Sequence, residues 1–276
     1  DGIRYSSTSR GLGDVYKRQD LMLFDLLTIL GFNFIVITIL WLFSLKTKRA
    51  DFIDIYWGPS FFLSFLIIVL IGNSFILTNL IALMLIGIWG FRLGLYLLRR
   101  NLNKLEDIRY VKIREARGNI GLFLTAYLIQ IILIPIISLP LLSIVEINNN
   151  FSTFLWISML IAILGIVIEA IADLQLANFK ANKSNAGKVM NRGLWYYSRH
   201  PNYFGDSLFW WGISIYCFTI SGTILIFISP IIMTYLLLKV SGVTMLENRL
   251  SKKKDGYNEY IQTTSSFLIL PKKKNQ

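Results

Sequence analysis

Seven stretches of this chain are long apolar runs with few charges: residues 21–45, 52–71, 75–98, 121–142, 154–176, 203–218 and 223–238. A hydrocarbon core about 30 Å thick takes roughly 20 apolar residues as a helix, and only a helix or a closed barrel satisfies the backbone there. The runs therefore predict an all-α, polytopic membrane protein with about seven transmembrane helices. Composition agrees, with 54% hydrophobic and 16% charged residues and a mean hydropathy of +0.56, more apolar than a soluble domain of 276 residues needs. The last two runs are short and joined by Thr219-Ile220-Ser221-Gly222, which predicts a tight hairpin. Cys217 stands alone, so no intrachain disulfide forms.

The net charge of +12 raises the question of nucleic acid, but its distribution answers otherwise. Beyond residue 20 the basic residues fall in blocks at 46–49, 92–117, 180–199 and 239–274, whereas the connections at 72–74, 146–152 and 219–222 have none. Basic and bare loops alternate, the positive-inside pattern of a seven-helix chain with its C-terminus in the cytoplasm. The basic loops are long and polar enough to build a cytoplasmic cap over the helix ends. Abundant Ile, Lys and Asn point to an AT-rich microbial genome, and so to a bacterial plasma membrane. Residues 1–19 stand apart: Asp14-Val15-Tyr16-Lys17-Arg18-Gln19 resembles read-through of a sequencing-library adapter. They are expected to be non-native, with residues 20–276 forming a single transmembrane domain.

The segment from Gly193 to Asp206 concentrates unusual chemistry. It places Trp195, Arg199, the only histidine His200, Asn202, Tyr203 and Asp206 at the start of the sixth apolar run. Pro201 suits the first position of a helix, where its missing N–H is no loss, and this leaves free N–H groups at the rim. With Lys188, Arg192 and Arg199 close in sequence, these are the ingredients of a phosphate site. A capped transmembrane helix with ordinary inside-facing cations reads the same way.

The acids tilt the balance. Glu169 and Asp173 are spaced to share one face of the fifth helix, and Arg92, Tyr96 and Arg99 or Arg100 form one stripe on the third. Asp54 lies near the start of the second helix and Asp206 in the first turn of the sixth. Intramembrane charges face a bundle interior or a cavity, so four helices with charges toward one side favour a pocket over interhelical ion pairs alone. No metal is expected, because a single histidine and a single cysteine do not make a ligand set. No G-x-G-x-x-G or P-loop pattern occurs, so any nucleotide sits outside those frames.

Taken together, these motifs resemble the family called domain of unknown function 1295. They are Asp54-x-x-Trp57-Gly58, Trp89-x-x-Arg92-Leu93, Glu106-Asp107-x-Arg109-Tyr110, Glu169-Ala170-x-Ala172-Asp173-x-Gln175, residues 193–206, Trp210-Trp211-Gly212, Ser241-Gly242 to Glu247, Tyr257-x-x-Tyr260 and Pro271. That family is similar to the C-terminal part of steroid 5-alpha reductases and sterol reductases. The resemblance implies NADPH as cofactor and a carbon–carbon double bond as hydride acceptor. It places Asn202 and Asp206 at cofactor-contacting positions, Lys188 and Arg249 near the phosphates, Tyr257 in the tail, and Tyr96 and Arg100 on a cofactor stripe. Steroid 5-alpha reductases polarise their substrate with a glutamate and a tyrosine; the corresponding places here hold Asp54 and Trp89, and an indole does not serve as that proton donor. The acid is then expected among Asp54, Tyr56 and Tyr96.

The Arg-His-Pro-x-Tyr core and tail Tyr-x-x-Tyr also resemble isoprenylcysteine carboxyl methyltransferases, which use S-adenosylmethionine. Those enzymes carry a glutamate pair after the last helix, where this chain has Glu247 between Leu246 and Asn248. The expectation is an NADPH-dependent reductase of a lipophilic substrate, steroid-like or isoprenoid-like. The alternatives are a methyltransferase and a non-enzymatic lipid-binding protein whose charges only join helices.

Overall fold

The structure is a computed structural model that describes residues 7–102, 104–145, 147, 152–240, 243–251, 254 and 256–272. Side chains are described from residue 21 onward, except those of Thr244, Met245, Asn248 and Arg249. Among the described residues the secondary structure is helical, apart from one isolated parallel bridge between Ser198 and Ser265. The chain forms two compact units, Asp1–Asn148 and Asn149–Gln276.

The first unit contains α1 (Ser7–Thr47), α2 (Phe52–Ile71), α3 (Leu77–Asn101), α4 (Ile108–Leu122), α5 (Leu128–Ile137) and the short α6 (Leu139–Leu142). Helix α2 lies against α3 at a glycine contact: a Cβ on Gly58 would come 2.5 Å from the Gly90 carbonyl oxygen. Small residues let transmembrane backbones approach this closely. The polar stretch expected to be a loop before residue 121 is instead partly helical. It folds as α4, and Gly118 (φ 66°) breaks the helical geometry within it before a π-turn at Phe123–Tyr127 leads into α5. Asp107 makes this possible, since its side chain accepts from the Arg109 N–H at the start of α4.

The second unit contains α7 (Thr153–Ala181), α8 (Leu194–Tyr197), α9 (Pro201–Ser221), α10 (Ile228–Tyr235), α11 (Val243–Leu250) and α12 (Tyr257–Thr263). Ser152 caps α7 by accepting from the Leu155 N–H. Helices α7 and α9 pack through Gly165, Gly205 and Gly212, where added Cβ atoms would lie 2.4–2.6 Å from backbone nitrogens of the facing helix. Pro201 is the first residue of α9 as expected, with His200 as its N-cap. Gly222 (φ 69°) ends α9 in the left-handed conformation, its N–H donating to the Phe218 carbonyl at 2.8 Å. That is the hairpin foreseen at residues 219–222.

Among the described residues, five helices are long and apolar enough to cross a membrane: Leu21–Thr47, Phe52–Ile71, Leu77–Asn101, Ile108–Leu142 and Thr153–Ala181. They account for the first five expected spans. The sixth, α9, is long enough at 21 residues, but Asn202, Gly205, Asp206, Ser207 and Gly212 dilute its apolar character. The seventh coincides with a shorter apolar stretch, Ile224–Val240.

Candidate functional site

In the second unit the site grows from the end of α7 and the start of α9. Trp195 of α8 is buried, and its indole N–H donates to the Ala172 carbonyl at 3.0 Å. Gly193 makes the approach possible: at φ 58° its place is filled by the Gln175 side chain, which accepts from the Leu194 N–H at 3.0 Å. Glu169 and Asp173 of α7 are each 3% exposed, and Asp206 of α9 is 7% exposed. The Asn202 amide N–H donates to Asp173 Oδ1 at 3.2 Å. Its other amide atom, Oδ1, is buried with no hydrogen-bond partner among the described residues.

Arg199 and His200 are also buried, and they serve a different purpose. Arg199 meets Glu247 of α11 through two bonds, Nε to Oε1 at 2.7 Å and Nη2 to Oε2 at 3.2 Å. Its Nη1 donates to the Ile261 carbonyl at 2.7 Å and to the Thr264 carbonyl. His200 Nε2 lies 3.3 Å from the same Glu247 Oε1, and the imidazole stacks on Tyr203 with ring centroids 5.4 Å apart. Burial pushes the Glu247 carboxyl up, but hydrogen bonds from His200 and Arg199 outweigh it and hold the group below the usual glutamate range.

The backbone completes this strap. The Arg199 N–H donates to the Ser265 carbonyl at 2.8 Å, and the Ser198 hydroxyl to the Phe267 carbonyl at 2.7 Å. The Tyr260 hydroxyl donates to the carbonyls of Trp195 and Ser198. Tyr257 packs edge-on against Tyr260, and burial pushes its phenol up to about 12, so it is neutral at physiological pH. Lys188 is exposed; its carbonyl accepts from Lys254 Nζ at 2.6 Å. Arg249 lies on α11, and its side chain is outside the described residues.

The first unit holds the remaining expected residues. Asp54 accepts from Arg109 Nη2 at 3.2 Å and from the Tyr110 hydroxyl. Arg109 also grips Asp107 through Nε at 3.1 Å and Nη2 at 3.0 Å. The Tyr56 hydroxyl donates to Asn33 Oδ1 at 2.9 Å, and Asn33 Nδ2 donates onward to Ser64 and to the Ile29 carbonyl. Arg92 and Tyr96 are half-buried on α3, and Arg100 is exposed at its end, donating to Asn101. Asp54 and Tyr56 thus belong to separate hydrogen-bonded groups within this unit.

The second unit therefore unites Asp173 with Asn202, and Arg199 with His200 and Tyr203. Sequence reasoning did not foresee Glu247 as the shared partner of Arg199 and His200, or Ser198 and Tyr260 as links to the tail. The tail tyrosine motif was visible, but not the carbonyls that it reaches.

The helices define an integral membrane protein. The chain belongs to the family described as Protein of unknown function (DUF1295), whose family model matches residues 40–264. No curated protein and no solved structure matches it.

Proposed function

We propose that this protein is a membrane-embedded, NADPH-dependent reductase of a carbon–carbon double bond in a lipophilic, steroid-like or isoprenoid-like substrate. The observation that carries this reading is the buried acceptor cluster of Asn202, Asp173 and Asp206 beside Trp195, with Asn202 Oδ1 left open among the described residues. Buried carboxylates accept from ribose hydroxyls, and a carboxamide such as nicotinamide offers N–H groups that match an open amide oxygen. The acceptor set therefore fits the nucleoside end of the cofactor. For the phosphates the exposed Lys188 and Arg192 are suited, together with Arg249. Arg199 is not: Glu247 already neutralises it, so its part is to brace the tail against the start of α9.

When bound, the cofactor supplies a hydride to one carbon of the double bond, and an acid supplies the proton to the other. The chain's own task is to hold the reactants and deliver that proton. Asp54, Tyr56 and Tyr96 are the candidates for it, and Tyr110, whose hydroxyl meets Asp54, is a further acid of the first unit.

Thermal stabilisation of detergent-purified protein by NADPH, NADH and S-adenosylmethionine tests the reading. A ligand at about 100 times its Kd adds roughly 2.7 kcal/mol to the folded state, which is measurable. NADPH is expected to stabilise more than NADH, because the extra phosphate meets cations. Asp206→Ala and Arg249→Ala are expected to abolish that stabilisation while membrane insertion persists. Equal response to the two nucleotides, or normal binding by both variants, overturns the site. A response to S-adenosylmethionine alone moves the chain to the methyltransferase reading, and no response to any of them leaves a lipid-binding protein.

A further inference from the structure

The lipid-facing side of α7 marks where the membrane ends. Its exposed apolar residues run from Phe154 through Leu160, Leu164, Val167 and Ile171 to Leu174, and the helix continues to Ala181. At 1.5 Å per residue that stripe is about 30 Å long, the thickness of a hydrocarbon core. The boundary of the core therefore lies near Leu174 at the C-terminal end of α7.

Helix α8 is fixed at that depth. The Trp195 indole donates to the Ala172 carbonyl at 3.0 Å, and the Leu194 N–H to Gln175 Oε1 at 3.0 Å. The two residues that follow, Tyr196 and Tyr197, are 42% and 44% exposed. Against them lies the chain's tail: the Leu270 N–H donates to the Tyr197 carbonyl at 3.3 Å, and Lys272 Nζ sits 4.5 Å above the Tyr196 ring. Leu268 and Leu270 point outward, 50% and 48% exposed. Two tyrosines, two leucines and a lysine thus share one surface at the level where the hydrocarbon gives way to headgroups, and the sequence continues with Lys273 and Lys274.

We propose that α8 and residues 267–272 form a membrane-docking platform that seats in the headgroup layer of an anionic leaflet. Tyrosine is suited to this layer, because its ring stays in the acyl boundary while its hydroxyl stays wet. The leucines enter the boundary beneath, and Lys272 meets the negative surface, its charge strengthening attachment. A soluble occupant fits less well: two tyrosines, two leucines and Lys272 beside a lipid-facing stripe match a surface that is both apolar and negative. The platform also bears on the strap, because Ser198 at the end of α8 and Phe267 are joined by a 2.7 Å bond. Lipid contact would therefore hold the tail closed over the start of α9. The proposal does not depend on the reductase reading.

Site-directed spin labelling tests it. Cys217, the only cysteine, is replaced by serine, and single labels are introduced as Leu268→Cys, Leu270→Cys and, on the exposed loop after α7, Asn182→Cys. Each protein is reconstituted into vesicles of phosphatidylcholine alone or with phosphatidylglycerol, and collisions with oxygen and with a soluble nickel chelate are compared. Labels at 268 and 270 are expected to favour oxygen in the anionic vesicles, while the label at 182 favours nickel. Lys272→Gln is expected to lower the inserted population about fivefold, the effect of one juxtamembrane cation. The two sites are exposed and independent, so misfolding of one labelled protein leaves the other as the test. Nickel access at both 268 and 270 equal to that at 182 overturns the platform. Insertion indifferent to phosphatidylglycerol and to Lys272 overturns its anionic partner.

Discussion

In the first unit four acids close to helix ends each meet an arginine: Asp51 meets Arg49, Asp54 and Asp107 share Arg109, and Glu106 takes Arg114 through two bonds of 2.7 Å. In the second unit one acid, Glu247, serves both Arg199 and His200, while Glu169, Asp173 and Asp206 are buried on α7 and α9. The pairs around Arg109 are partly exposed on both sides and of modest strength, whereas Asp51 and Glu106 are buried beside partly exposed arginines. A single acid that neutralises a buried guanidinium is different, because its loss leaves a charge with no counter-ion. Buried carboxylates with an amide among them are the kind of surface that receives hydroxyls and N–H groups. The first cluster fastens neighbouring segments, and the second holds the acids on which the proposed cofactor site rests.

The sharpest test of the second unit's frame is steric. Gly205→Ala places a methyl 2.6 Å from the Glu169 backbone nitrogen and 2.7 Å from the Gly165 carbonyl oxygen, where no side chain can yield. Its cost is expected at or above the upper end of the about 1–3 kcal/mol typical of overpacking. Gly31→Ala in the first unit meets nothing within 4 Å and is expected to be neutral or slightly stabilising. Thermal denaturation in detergent measures both. A Gly205→Ala protein as stable as the parent would mean that α7 and α9 do not pack as described.

Next in size are the ion pairs. Glu247→Ala is expected to cost about 3 kcal/mol, because Arg199 is 8% exposed and keeps only carbonyl partners. It should also expose the tail beyond Thr264 to protease. Arg109→Ala is expected to cost less than that, since Arg109 is 38% exposed and the Asp54 carboxyl it leaves is 21% exposed and keeps the Tyr110 hydroxyl as donor. Equal losses in the two variants would erase the contrast between the units.

Acid pH probes the same difference more gently. Glu247 titrates below its ordinary 4.5 in the folded protein. A carboxylate with a depressed folded pKa binds fewer protons folded than unfolded, so its contribution is complete above about 4.5 and fades as pH falls through the folded value. Burial pushes Asp107 up, yet its bonds with Arg109 prevail and hold it below its ordinary 3.8, so it acts in the same sense at lower pH. Glu247→Gln and Asp107→Asn should therefore each flatten the acid limb of a stability profile, Asp107→Asn at the lower pH. An acid limb left unchanged by Glu247→Gln would contradict its bonds with Arg199 and His200.

Local rules reached much of this. Pro201 announced the start of α9 through its missing N–H, and Gly222 its end through a left-handed φ. The spacing of Glu169 and Asp173 put both on one buried face of α7. What stayed hidden depends on residues far apart in sequence. Glu247 lies 48 positions from Arg199, and nothing local to either names the other. Within the mixed-charge run 106–110 Arg109 meets its near neighbour Asp107, but Arg109 and Tyr110 also reach Asp54, more than 50 positions away. The break at Gly118 was likewise hidden, because a glycine among polar residues reads equally as a loop.

The smallest expected effect separates two roles for Tyr56. Its hydroxyl donates to Asn33 Oδ1, so that proton is already engaged, and Asn33 passes the chain on to Ser64 inside the helices of the first unit. Removing the hydroxyl by Tyr56→Phe leaves one buried amide oxygen short of a donor. Hydrogen bonds between transmembrane helices average about 0.6 kcal/mol, so a loss of that order is expected. If Tyr56 only fastens α2 to α1, the double-bond reduction proposed for the protein should survive in the variant, because the acid lies elsewhere. If Tyr56 delivers the proton, reduction should fall by about a hundredfold or more with stability nearly unchanged, as general-acid catalysis requires. The engaged proton favours the first result, and measuring the melting temperature and the turnover of the same preparation decides between them.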